Sequence, residues 1–206
     1  MKLLSCISGL NIRLAHEKKG CASVLIPWLY CGENVYHTFF FAPPGVGKTT
    51  YLRDCIRLLS KGNHLRAGKK VGVVDERSEI GACYQGIPQN ELGIRTDILD
   101  CCPKAQGMMM LIRSMAPEVV AVDEIGGEND LEALRYVMNC GCRILATVHG
   151  NSMEDIREKP GLSSFLQEKR FERYVVLGNR RGPGTVEAVY DACLLYTSPS
   201  PRDAHE

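Results

Sequence analysis

The sequence predicts an α/β fold in which a mostly parallel central sheet is flanked by helices and followed by a C-terminal hairpin. Two observations predict this fold. Short apolar runs of strand length alternate with apolar stripes at helical spacing, and several of the runs end in acids or a histidine. A chain of 206 residues is large enough for one such domain.

The first predicted strand is the aromatic run 36–41, which leads into Pro43. A helix follows, because apolar residues recur at helical spacing from Leu52 to Leu59. The remaining predicted elements are a strand at 71–74, a helix with its stripe at Met108, Leu111, Ile112 and Met115, a strand at 119–122, a helix over 130–139, a strand at 144–148, and a hairpin of 174–177 and 185–190. Because strands and helices alternate, the strands before the hairpin are expected to be parallel.

One long segment lacks this alternation. Residues 76–107 are expected to be irregular, because glycines and prolines interrupt them and their apolar period is weak. In a compact domain, so long an irregular segment is typically functional or disordered. Further along, Ser152 and Asp155 are spaced as in a capping box, which predicts the start of a short helix.

The composition excludes several classes of protein. Lys and Arg number 25 against 24 Asp and Glu, and a net charge of +1 argues against a nucleic-acid coat. No apolar run approaches the roughly 18 residues that span a bilayer. The 10 cysteines form no C-x-x-C pair, which argues against structural zinc and thioredoxin-type redox sites. We therefore expect reduced thiols and a cytosolic protein.

The most specific motif is the turn 42–49, which fits G-x-x-x-x-G-K-T except that Ala42 replaces the first glycine. Its glycines let backbone N–H groups point at phosphate oxygens, and the following helix N-terminus adds a positive dipole. Lys48 is expected to reach the β- and γ-phosphates of ATP, and the Thr49 hydroxyl to bind Mg²⁺. The predicted nucleotide-binding residues are Pro44, Gly45, Val46, Gly47, Lys48, Thr49 and Thr50. This loop predicts a P-loop NTPase fold.

An acid pair, Asp123 and Glu124, ends the strand at 119–122. That end belongs to the carboxyl edge of the sheet, where ligands of open α/β sheets bind. We expect Asp123 to hold Mg²⁺ through a water and Glu124 to orient and deprotonate an attacking water. A water-activating carboxylate favours hydrolysis over a kinase reaction. The alternative is that both acids simply face solvent.

Two further strand ends add candidate residues. His149 lies in the segment 147–151 that closes the fourth strand, where a γ-phosphate sensor or relay would sit, although a structural histidine is the alternative. Glu76 follows Asp75 at the end of the second strand and is a second candidate metal ligand. Solvated acids at a strand end are the alternative for this pair.

Lys48 and Asp123 lie 75 residues apart, and the gap between them contains an extra predicted strand. This is the pattern of the RecA-like, additional-strand class of P-loop ATPases. In such enzymes an arginine from a neighbouring subunit stabilises charge on the γ-phosphoryl group. The candidates are Arg95 and Lys104 in the irregular segment and Arg113 in the helix before the acid strand. For each of them the alternative is an ordinary solvated surface residue.

Several segments together resemble the stage III sporulation protein AA ATPases, over about residues 7–191. They are 7–13, the loop 43–50, 74–80, 93–97, 107–114, 121–126 and 146–150. That family is similar to the type II secretion and type IV pilus motors. Their acid box, second acid motif and histidine box look like 75–76, 123–124 and 147–151 of this chain.

The resemblance implies an oligomeric, hexameric, cytoplasmic ATPase that uses ATP and Mg²⁺. Its implied role is to energise a secretion-like channel between mother cell and forespore, from the mother-cell side of the membrane. The implied partners are membrane-embedded sporulation channel proteins, and no nucleic acid is expected. Two other hypotheses stay open: a nucleic-acid-dependent RecA-like ATPase, and a module that assembles on ATP with little turnover.

The sequence departs from the resemblance in two respects, and its last residues are interpreted separately. The secretion motors follow their glutamate with an arginine-containing stretch, whereas Gly126, Gly127 and Glu128 stand here. Relatives usually carry a further N-terminal domain. Residues 193–206 resemble translated sequencing adapter and are interpreted as a non-native tail. We therefore divide the chain into a partial N-terminal segment or linker (1–34), the ATPase domain (35–192) and that tail.

Overall fold

The computed structural model describes residues 8–9, 17–150, 152, 155, 157–159, 161–180, 182, 184–192 and 197–198. A short 3₁₀-helix, Ile26–Leu29, comes first. The elements after it are β1 (Tyr30–Cys31), β2 (Asn34–Val35), β3 (Thr38–Ala42), α1 (Lys48–Lys61), β4 (Val71–Asp75), β5 (Thr96–Asp100), α2 (Lys104–Met115), β6 (Val119–Val122), α3 (Glu128–Asn139), β7 (Arg143–His149), α4 (Leu162–Gln167), β8 (Arg173–Gly178), β9 (Thr185–Asp191) and β10 (Thr197–Ser198). No helix in these ranges is long and apolar enough to cross a lipid bilayer.

The central sheet has eight strands among the described residues, in the order β10-β9-β8-β3-β7-β6-β4-β5. The strands from β8 to β5 are parallel, and β9 and β10 continue the sheet in antiparallel pairing. All the parallel strands therefore end at one carboxyl edge. The predicted parallel sheet and terminal hairpin are confirmed.

The strand that separates the phosphate loop from the acid strand is β7. It pairs with β3 on one side and β6 on the other, whereas β4 lies on the far side of β6. The chain thus has the additional-strand arrangement that was predicted, but β7 is the inserted strand in space. β4, which lies between the phosphate loop and the acid strand in sequence, does not lie between them in the sheet. It pairs with the other side of the acid strand, β6.

Both faces of the sheet are covered, and for this reason its central strands carry apolar residues on both faces. In β3, Phe39 and Phe41 pack on the face that carries α2 and α3. Phe40 points to the opposite face and packs with Leu52 and Ile56 of α1. Alternate side chains of one strand thus anchor helices on both sides, and this fixes the direction in which each strand end points.

The expectation of an irregular segment at 76–107 is wrong in part. β5 occupies Thr96–Asp100, and α2 begins at Lys104 rather than after residue 107. β5 pairs only with β4 among the described strands, so it lies at the edge of the sheet and is half-buried throughout. An edge strand needs no long apolar run, and the sequence signal for it was correspondingly weak.

The start of β3 also differs from the prediction. The strand begins at Thr38, not at residue 36, because the N–H of Tyr36 donates to the carbonyl oxygen of Leu29 and ties this residue to the preceding turn. Ala22, Leu25 and Leu29 are fully buried in the same core as α1. Residues before position 35 thus contribute to the core of the domain.

Two other expectations fall at the margins of the described residues. The N–H of Asp155 donates to Ser152 Oγ over 3.3 Å, as a capping box requires. In the segment 7–13, the structure describes residues 8–9 alone. In the interpreted tail 193–206, it describes only the backbone of β10. The rest of both segments lies outside the described residues.

Candidate active site

The phosphate loop joins the end of β3 to the start of α1. Gly45 and Gly47 adopt φ values of 77° and 105°, in the left-handed region that side chains disfavour. No atom outside its chain neighbours lies within 4 Å of a Cβ placed on Gly45, so the space beside this glycine is open. Ala42, which replaces the first glycine of the motif, is the last residue of β3 and is fully buried. Its extended backbone does not need glycine.

Lys48 is buried at the base of this loop and is 5% exposed. Its Nζ donates to the carbonyl oxygens of Ala42 and Pro43, each over 3.1 Å, and lies 3.0 Å from His149 Nδ1. The two carbonyls hold the loop curled around the ammonium group. The third contact connects the phosphate loop to the end of β7.

Thr49 connects the loop to the acid strand, since its Oγ1 lies 2.5 Å from Asp123 Oδ2. The other oxygen of Asp123 accepts a hydrogen bond from Thr147 Oγ1. Thr147 Oγ1 in turn accepts from the N–H of Glu124 over 2.8 Å. The Asp123 carboxylate is therefore fixed from two sides, by α1 and by β7.

Glu124 has both carboxylate oxygens engaged. Oε1 lies 3.0 Å from His149 Nε2, and Oε2 lies 2.8 Å from a guanidinium nitrogen of Arg77. The tautomer of His149 with its proton on Nε2 satisfies both of its contacts, accepting from Lys48 and donating to Glu124. A continuous polar chain thus runs from Lys48 through His149 and Glu124 to Arg77.

The two acids at the end of β4, Asp75 and Glu76, make different contacts. The Asp75 carboxylate is buried and accepts hydrogen bonds from the N–H groups of Glu79, Ile80 and Gly81, at 2.8–2.9 Å. Burial raises the pKa of Asp75 above its ordinary value, against the lowering effect of those three N–H donors. Glu76 instead pairs with Lys104 at the start of α2. The side chains of Thr49 and Asp123 bond instead to each other and to Thr147.

The two candidate arginines lie away from this edge within their own chain. Arg95 precedes β5 at the amino edge of the sheet, where its guanidinium donates to the carbonyl oxygen of Ser60 over 3.2 Å. Arg113 is exposed in the last turn of α2, which leads toward the amino end of β6. The structure brings together Lys48, Thr49, Asp123, Glu124 and His149, but neither arginine.

Two residues of the site had no role in the sequence interpretation. Thr147 was visible only as part of the segment around His149, and its hydroxyl contact to Asp123 depends on the register of β7 against β6. Arg77 follows the second acid pair, and its contact to Glu124 joins positions 47 residues apart. A basic residue directly after strand-end acids was the one available signal for Arg77.

The donor atoms fit Mg²⁺ and a nucleotide. Mg²⁺ prefers oxygen ligands and is commonly held by one or two protein oxygens together with phosphates and waters. The paired oxygens of Thr49 and Asp123 provide such a set beside a loop whose glycines leave room for phosphate. Within the described ranges, no group of three or more His, Cys, Asp or Glu side chains is arranged to hold a metal.

Comparison with known proteins places this geometry in a family. The family described as "Sporulation stage III, protein AA" matches residues 1–194. The chain belongs to this family. It is 46% identical over 192 residues to stage III sporulation protein AA of Bacillus subtilis (strain 168), a match that covers 93% of the chain and 62% of that relative. It is also 31% identical over 182 residues to an uncharacterised protein, ycf45, of Porphyra purpurea, covering 85% of the chain and 30% of that protein.

The chain also shares its fold with solved structures of an ATPase and of a pilus motor. The ATPase DotB of Legionella pneumophila superposes with a TM-score of 0.55 at 17% identity, over 74% of the chain and 43% of that structure. The pilus retraction motor PilT with bound ADP superposes with a TM-score of 0.52 at 14% identity, over 75% of the chain and 46% of that structure. The predicted P-loop NTPase fold and the predicted family are confirmed. The chain spans less than two thirds of each of these relatives.

Proposed function

We propose that this chain is the motor domain of a Mg²⁺-dependent ATPase that energises a secretion-like channel during endospore formation. The observation that carries the proposal is the 2.5 Å contact between Thr49 Oγ1 and Asp123 Oδ2. It joins the phosphate loop to the acid strand through two oxygens of the kind that Mg²⁺ prefers. Membership of the sporulation family and the fold shared with DotB and PilT support it.

The phosphate loop and Asp123 would bind the nucleotide and the metal ion in this reaction. The N–H groups of the loop 44–50 and the N-terminus of α1 would bind the phosphates, and Lys48 would contact the β- and γ-phosphates. Thr49 would bind Mg²⁺ directly and Asp123 through a water. The ion supplies positive charge against the phosphate oxygens when bound.

Glu124 would orient the attacking water and take its proton. His149 contacts both Lys48 and Glu124, so it would set the orientation of this carboxylate relative to the loop. A shift of Lys48 toward a phosphate would change its contact with His149, and the imidazole ring would in turn change its contact with Glu124. In this proposal, phosphate binding would be coupled to the position of the base through these contacts.

The motor would act as an oligomer, a hexamer by the resemblance to secretion motors, on the cytoplasmic, mother-cell side of the membrane. Its partners would be membrane-embedded sporulation channel proteins. Arg95 and Arg113 remain candidates for action on a neighbouring subunit's nucleotide, because both are remote from the loop in their own chain. The net charge of +1 does not favour a nucleic-acid substrate.

The test is phosphate release measured alongside solution mass, with and without ATP and Mg²⁺. We expect Mg²⁺-dependent phosphate release and a larger assembly in the presence of ATP, and we expect Lys48→Ala to lose both. Assembly without phosphate release would instead support a module that uses ATP only to assemble. Strong stimulation of hydrolysis by single-stranded DNA or RNA would support a nucleic-acid-dependent ATPase.

A further inference from the structure

Arg77 lies beside the proposed base but has no role in the proposed reaction. Its guanidinium lies 2.8 Å from Glu124 Oε2, and 63% of its side chain is exposed. We propose that Arg77 is a γ-phosphate-binding residue, which clamps Glu124 in the nucleotide-free state and moves to the γ-phosphate when ATP binds. This inference rests on the proposed function of the site.

The turn that carries Arg77 is held rigidly at its base. Asp75 accepts hydrogen bonds from the N–H groups of Glu79, Ile80 and Gly81. From the opposite side, the buried Arg53 of α1 donates to the carbonyl oxygens of Glu79 and Ile80, over 2.6 and 2.8 Å. The helix that begins at the phosphate loop therefore also fixes the turn that presents Arg77. Only the exposed side chain of Arg77 needs to move.

The clamp occupies Glu124 in the nucleotide-free state. Each of its oxygens already has one partner, His149 or Arg77, so an attacking water would have to share an oxygen with one of them. The base becomes available once the guanidinium leaves it.

An exchange of partners by Arg77 is energetically accessible. An ion pair whose guanidinium is mostly in water contributes little to stability. A γ-phosphate carries more negative charge than a carboxylate and accepts bidentate hydrogen bonds from a guanidinium. ADP lacks that group and would leave Arg77 on Glu124.

Neighbouring cations are engaged in other contacts at this edge. Lys104 pairs with Glu76, and Lys159 donates to the carbonyl oxygen of His149. Arg53 is buried and holds the turn itself. Among these described side chains, Arg77 combines high exposure with a direct contact to the proposed base.

The experiment compares affinities for a non-hydrolysable ATP analogue and for ADP, by calorimetry with Mg²⁺ on the 206-residue chain. Arg77→Ala should weaken binding of the ATP analogue about tenfold and change ADP binding less than about twofold. Arg77→Lys should fall between wild type and alanine. Arg170→Ala is the control, because Arg170 is a half-exposed arginine that pairs with Glu168 and contacts Asn139 at the end of α3.

A second comparison tests the clamp itself. Glu124→Gln removes the charge that holds Arg77, so it should raise affinity for the ATP analogue several-fold, and this gain should vanish in the double variant Glu124→Gln/Arg77→Ala. Equal losses for both nucleotides in Arg77→Ala, or no loss, would overturn the inference and leave the proposed function standing. A wild-type chain that binds neither nucleotide would overturn both.

Discussion

Lys48 Nζ and His149 Nδ1 lie 3.0 Å apart, although 101 residues separate them in the chain. The contact exists because β3 and β7 are parallel neighbours whose ends, Ala42 and His149, are in register. The phosphate loop and the end of β7 are therefore in direct contact.

Replacing the proposed base separates binding from hydrolysis. Glu124→Gln keeps the size of the side chain but cannot take a proton from water, so we expect ATP binding to persist and phosphate release to fall by about 10²–10⁴-fold. Binding measured by calorimetry and turnover measured by phosphate release on the same sample check this. Wild-type turnover in the variant would exclude Glu124 as the base.

Removing the histidine should slow the chemical step more than it weakens binding. His149→Ala leaves Glu124 without the imidazole that orients it and frees one donor of Lys48. We expect kcat to fall by about 10–100-fold, with the ATP dissociation constant changing by less than about threefold. His149→Gln, whose amide can still contact both neighbours, is expected to recover part of the loss.

The hydroxyl of Thr49 should decide the dependence on Mg²⁺. Thr49→Ala removes the oxygen that faces Asp123, and we expect the concentration of Mg²⁺ needed for half-maximal activity to rise at least tenfold. Thr49→Ser keeps the hydroxyl and serves as the matched control. Identical Mg²⁺ titrations for the alanine and serine variants would contradict the assignment of Thr49 as a metal ligand.

His37, remote from the site, should make stability depend on pH. Burial, together with the charges of Arg143 and Arg170, lowers the pKa of His37 to about 4 from an ordinary value of 6.5. Between these values the unfolded chain binds a proton that the folded chain does not. The free energy of unfolding should therefore be unaffected by His37 above pH ~6.5 and fall as the pH drops toward ~4, by at most about 3 kcal/mol.

Urea unfolding at several values between pH 4 and pH 7 measures this dependence. His37→Phe removes the titrating ring and keeps an aromatic contact with Phe171, so its stability curve should be flatter over that range. His64→Gln is the control, because His64 is exposed. A wild-type curve as flat as that of His37→Phe would show that His37 does not titrate as described.

The buried strands were predictable because the central strands of a doubly covered sheet are apolar on both sides. The run 119–122 was assigned as a strand, and its position directly before Asp123 placed that acid at the carboxyl edge. The strand β5 was not predicted because it lies at the sheet edge and three of its five residues, Thr96, Asp97 and Asp100, are polar, which leaves no such run. Apolar runs in the sequence thus predict the buried central strands of the sheet but give little indication of its edge strands.

The loop residues of the site were predictable for a different reason. Lys48 and Thr49 belong to one continuous motif whose chemistry constrains each position. Arg77 reaches the site from the turn after β4, and Thr147 reaches it from β7. Their contacts to Glu124 and Asp123 depend on strand order and register. No spacing along the chain encodes that order, so these partners became visible only in three dimensions.

Glu124 adopts a φ of 55°, a left-handed conformation that costs an L-residue with a side chain about 1–2 kcal/mol. Glycine adopts it freely, and asparagine more readily than glutamate. A library of variants at this position, sorted for thermal resistance, should accumulate glycine or asparagine. The same library sorted for turnover should return glutamate, so the two selections would drive this one position in opposite directions.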